Sequence, residues 1–163
     1  MPKVDVAAEI EAAELRVKNL HKKAKQLAGA QKKKFAEFET LNGTLYEGKD
    51  VIAEKNDRKA KALQEEIDEM EKVFKKISAK IGPVIRELER MGKLGDGLVS
   101  ELQEERKTLI ALGNSLKRTG GELDQLRAWA ADIKGLLKIV SDTADTAGEV
   151  AELPATLPNT PKL

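Results

Sequence analysis

Cysteine is absent from this chain, histidine occurs once, and aromatic residues make up 3% of its 163 positions. The first absence excludes disulfides, thiol nucleophiles and thiolate metal sites. A single histidine, His21, and no cysteine leave few groups that titrate near neutral pH, so general acid–base or nucleophilic catalysis has little to work with. There is no glycine-rich phosphate loop and no metal-spaced cluster of His or carboxylates. The reading is therefore of a protein that is not an enzyme, with no catalytic, cofactor or metal residues and no small-molecule substrate. Net charge is +1, so no global field draws it to nucleic acid or anionic membrane. Long apolar runs are also missing. The opening residues Met1-Pro2-Lys3-Val4-Asp5 offer no apolar core for a signal peptide. A cytoplasmic protein is expected, with signal-independent secretion left open.

What is present is a heptad. From Ala60 to Ala151 one apolar row falls at Ile67, Phe74, Ile81, Leu88, Leu102, Leu109, Leu116, Leu123, Ala130, Leu137 and Ala144. A second follows at Leu63, Met70, Ile77, Val84, Met91, Leu98, Leu112, Leu126, Ile133, Val140 and Ala147, and only Gly95, Glu105 and Thr119 break the pattern. A repeat of 3.5 residues keeps a narrow stripe of each helix turned to a neighbour. With 35% charged residues, this predicts an all-α fold: an elongated antiparallel helical bundle or coiled coil of three long arms.

Punctuation then sets the expected arms within a single bundle domain, residues 1–152. A first helix is expected over about 5–41, with its stripe at Ile10, Ala13, Val17, Leu20, Ala24 and Leu27 and a stutter or widened face near Gln31 to Phe35. Asn42-Gly43 and Gly48 predict the first reversal. A second helix, 49–91, should kink rather than stop at Gly82-Pro83. Gly92, Gly95 and Gly97 each cost about 1 kcal/mol in a helix interior, which predicts the second reversal. Helices at 97–118 and 122–150 should be nearly collinear, bent or broken at Gly120-Gly121, because the heptad passes from Leu116 to Leu123 in phase and Thr119 to Glu122 reads as a capping box. The proline-rich tail, 153–163, should be extended or disordered. The rival is one long helix through 92–97 that dimerises in parallel.

A stretch from Arg16 to Lys34 holds Arg16, Lys18, Lys22, Lys23, Lys25, Lys32, Lys33 and Lys34 with no acid. Glu65, Glu66, Asp68, Glu69 and Glu71 form an acidic counterpart. Folding back near residue 45 pairs Lys23 with Glu66 and His21 with Glu71, which would set register more than stability. Lys18, Lys22, Lys25, Lys32 and Lys33 fall on the outer face and form a candidate surface for an anionic partner. With no aromatic among them to stack bases, nucleic acid is an unlikely partner. The stripe Trp129, Ile133, Leu136, Leu137, Ile139 and Val140 is wider than two seam rows. It reads as core, or alternatively as a membrane or partner face. Glu105, an acid on the seam, should fix register by meeting Arg86 or Arg90.

These features favour a noncatalytic scaffold, adaptor or structural assembly protein, acting through helix packing with itself or with a helical protein partner. Reversible binding to an anionic lipid or granule surface is the alternative. Nonspecific nucleic-acid binding through Arg16–Lys34 is the weaker one.

Overall fold

The computed structural model describes residues 5–57, 61–119 and 121–157. It is all-α among these residues, with three helices packed against one another: α1 (Val6–Asn56), α2 (Lys61–Leu116) and α3 (Leu123–Glu152). A 3-10 turn, Leu153–Thr156, follows. Ala60 and Gly120, singled out in the sequence, lie outside the described residues, as do positions 158–163 of the tail.

The helices are fewer and longer than the glycines predict. α1 begins where expected: Asp5 accepts from the Ala8 backbone N–H at 3.2 Å, an N-cap. It then runs straight through Asn42-Gly43 and Gly48 to Asn56. Packing overrides propensity here. Every seventh residue of α1 from Ile10 to Leu45, namely Ile10, Val17, Ala24, Gln31, Phe38 and Leu45, is buried. The seam thus passes through Gln31 without a stutter, and half-buried Phe35 widens the face beside it. Gly48 lies where a Cβ would come within 3.3 Å of the Phe74 ring, so its smallness serves packing rather than a turn. The chain instead leaves the helix at Asn56 and Asp57. Asparagine is a helix-ending residue, and this pair was the overlooked signal.

α2 likewise continues through Pro83 and through Gly92, Gly95 and Gly97. No stop occurs at Pro83, as expected. At Gly95 a Cβ would stand 2.9 Å from the Ala147 carbonyl oxygen and 2.9 Å from the Ala151 nitrogen. That glycine lets the backbones of α2 and α3 approach closely, and its place is inside a helix. No contact explains Gly97, whose Cβ would meet nothing within 4 Å.

The reversal expected at 92–97 occurs instead after Leu116. Leu116 and Leu123 are not collinear neighbours on one arm: Gly113 approaches Ile133 and Gly95 approaches Ala147, so α3 returns antiparallel to α2. The Thr119 hydroxyl donates to the Leu116 carbonyl at 3.0 Å, closing the end of α2 rather than opening α3. The in-phase heptad across this turn is a coincidence of spacing. Leu123 is 64% exposed, and α3 buries Ile133, Leu136, Val140, Thr143, Ala147 and Val150 instead.

Two compact units divide the chain, Met1–Gly29 with Gly92–Glu152, and Ala30–Met91 with Leu153–Leu163. The first holds a three-helix core of Val6, Ile10, Ala13, Val17, Leu20 and Ala24 against Leu98, Leu102, Leu109 and Leu116, closed by Ile133, Leu136, Val140 and Ala147. The second is a hairpin built on Phe38, Leu45, Phe74, Ile81, Val84 and Leu88. Leu157 packs against that cluster, so the described part of the tail is a 3-10 turn and a docked leucine rather than an extended strand.

Candidate functional surfaces

The polar groups that interrupt the seams show how the sequence spends its few chemically distinctive side chains. Glu105, 8% exposed, lies between Leu102 and Leu109 on α2. Its two carboxylate oxygens each accept from Arg16 Nε of α1 at 3.1 Å. The expected partners Arg86 and Arg90 do not meet it, since α2 does not reverse at 92–97. Arg90 instead bonds Glu87 one turn earlier on α2, and that guanidinium, with lesser help from Lys34, holds the Glu87 carboxyl below its usual range.

His21 does not meet Glu71. Its Nδ1 shares a hydrogen bond of 2.8 Å with Thr143 Oγ1, a hydroxyl on α3 that is 1% exposed. Lys23 does not meet Glu66 either; it lines an open groove of about 550 Å³ between α1 and α2, with Arg16, Glu101 and Glu104 among its neighbours. Glu66 takes Lys55 at 2.7 Å, and that hydrogen bond is the main cause of its lowered carboxyl pKa. All of these reassignments have one origin. The first reversal lies between α1 and α2 rather than near residue 45, so the α1 residues that meet α2 meet a later part of it than the glycines imply.

Arg16–Glu105 and His21–Thr143 are thus two polar contacts that join three helices. Thr143 and Gln31 were missed. Gln31 was detectable by its spacing of seven from Ala24 and Phe38; Thr143 was hidden by the phase assigned to α3. Asn42 is buried as well, and its Oδ1 has no hydrogen-bond partner among the described residues.

The basic stripe is exposed throughout. Lys18, Lys22 and Lys25 lie in the first unit, Lys32 and Lys33 in the second. Lys18 pairs with Glu14 on its own helix at 3.0 Å, with both side chains largely in solvent. Lys22, Lys25, Lys32 and Lys33 have no ion pair among the described residues. The α3 stripe goes the other way. Ile133, Leu136 and Val140 are core, Trp129 and Leu137 pack against that core, and only Ile139, 41% exposed, faces outward. A membrane face made of all six residues is therefore not presented by this state of the protein.

No described helix is long and apolar enough to cross a membrane. Among the described residues no group of three or more His or carboxylate side chains is placed to hold a metal ion. No family model, curated protein or solved structure matches the chain.

Proposed function

We propose that this protein is a noncatalytic helical scaffold or adaptor, working by packing its helices against a second copy or against a helical partner. One observation carries the reading. Helices whose inner faces are already filled still expose Leu15, Tyr46, Val73, Leu94, Ile110 and Ile139 on their outer faces, each 39% or more accessible. The side chains with reactive potential support it, because His21 and Glu105 are engaged in holding helix to helix. Coiled-coil surfaces use such outward apolar residues for association and the charges around them for choice of partner.

Lipid-surface binding ranks second, since Ile133, Leu136 and Val140 would have to leave the core to reach a bilayer. The scaffold reading is tested by light-scattering mass across a concentration series together with vesicle flotation. Growth of mass with concentration and no flotation is the expected result. A monomer at all concentrations that floats with vesicles overturns it.

A further inference from the structure

The position of the first reversal leaves two complementary charge runs without each other. Glu66 is taken by Lys55, while Glu65 and Glu69 point to solvent with no ion pair among the described residues. On α1, Lys22 is equally unpaired, and Lys18 is held only by a surface bond to Glu14 that water screens. Each run also carries an exposed aliphatic side chain at one end: Leu15 is 62% and Val73 is 55% accessible.

We infer that the outer face of α1 at Leu15, Lys18 and Lys22 docks antiparallel on the outer face of α2 at Val73, Glu69 and Glu65 of a second copy of this chain. The proposal rests on the scaffold reading and names its partner and surface. Spacing supports it: Leu15 to Lys22 spans about 10 Å of helix and Val73 to Glu65 about 12 Å, so the two rows match when run in opposite directions. Leucine then covers valine at one end, Lys18 meets Glu69, and Lys22 meets Glu65. Both surfaces exist on every molecule, so the contact is heterologous, one copy's α1 face meeting the next copy's α2 face. One aliphatic pair flanked by two ion pairs makes a small interface, of the weak and salt-sensitive kind.

Sedimentation equilibrium of the full chain, at about 50 mM and about 500 mM salt, tests this with two variants. Lys18→Glu with Lys22→Glu, and Glu65→Lys with Glu69→Lys, are each expected to weaken self-association at low salt by about tenfold or more. An equimolar mixture of the two variants regains it, because each then carries charges opposite to the other's. Circular dichroism checks that helix content is kept, and Lys18→Gln with Lys22→Gln serves if the reversed pair does not fold. Association indifferent to salt and to both reversals overturns this surface and leaves the scaffold reading standing. A monomer at every concentration, with no helical partner, overturns both. Binding of the unaltered protein to duplex DNA or phosphatidylserine vesicles, lost in Lys18→Glu with Lys22→Glu and unaccompanied by self-association, assigns the lysines to another partner and also overturns it.

Discussion

Gly95 shows how much can depend on one missing methyl group. The α3 backbone at Ala147 and Ala151 fills the space a Cβ would need, and backbone, unlike the tip of a side chain, cannot rotate away. Gly95→Ala is expected to destabilise the protein by about 1–3 kcal/mol despite the better helix propensity of alanine. Gly43→Ala, at a helical position where a Cβ meets nothing, is expected to gain a few tenths up to about 1 kcal/mol. Urea unfolding of the two variants reads the opposite signs. Glu105 makes a second residue-scale case. Its carboxylate is nearly buried while Arg16 keeps 44% of its side chain in water, so the arginine survives the loss of its partner by turning outward. Glu105→Leu is expected to be neutral or stabilising by about 1–2 kcal/mol, because a leucine continues the Leu102–Leu109 row without a charge to desolvate. A loss above that size in the same measurement would show that the pair contributes more than register.

At the scale of the element, α3 is held by aliphatic burial and by the contact of Thr143 with His21. Leu136→Ala is expected to cost about 2–5 kcal/mol, and Thr143→Val, which strands the His21 ring nitrogen, about 1 kcal/mol. Trp129, packed against the same core, reports both through its emission. The hairpin of the second unit has its own pH signature. Lys55 holds the Glu66 carboxyl below its usual range, and Arg90 does the same for Glu87. A carboxyl whose folded pKa is depressed adds stability that is complete above its unfolded value and is lost as pH falls through the folded one. The melting temperatures of the wild type and Glu66→Gln are therefore expected to differ at neutral pH and to converge in acid. Both pairs are exposed, so the difference is small and shrinks with salt.

For the whole molecule, the two units differ in how they close their cores. The first has three helical segments; the second has two, with Leu157 laid against its cluster from beyond α3. Leu157→Ser is expected to lower stability by about 1 kcal/mol through lost apolar contact. Circular dichroism would show the earlier transition, while Trp129 emission under native conditions stays unchanged because that residue belongs to the first unit.

The sequence by itself determined that the fold is all-α over the described residues, which faces of α1 and α2 are buried, and which lysines stand outside. A seven-residue spacing of aliphatic side chains leaves a helix only one side to hide, whatever it packs against. The reversals were a different matter. Asn42-Gly43, Gly48 and Gly92 to Gly97 have the local chemistry of turns, and an isolated peptide would pay that cost. Tertiary structure decided otherwise, because Phe74 needs the space left at Gly48 and the α3 backbone that at Gly95, and a helix that keeps Phe38, Leu45, Leu98 and Leu102 buried recovers more than the glycines cost. Once the reversals moved, so did every pairing between helices. Arg16 with Glu105 and His21 with Thr143 were illegible one residue at a time, since contact across a bundle depends on where the chain turns and propensity alone does not locate that point.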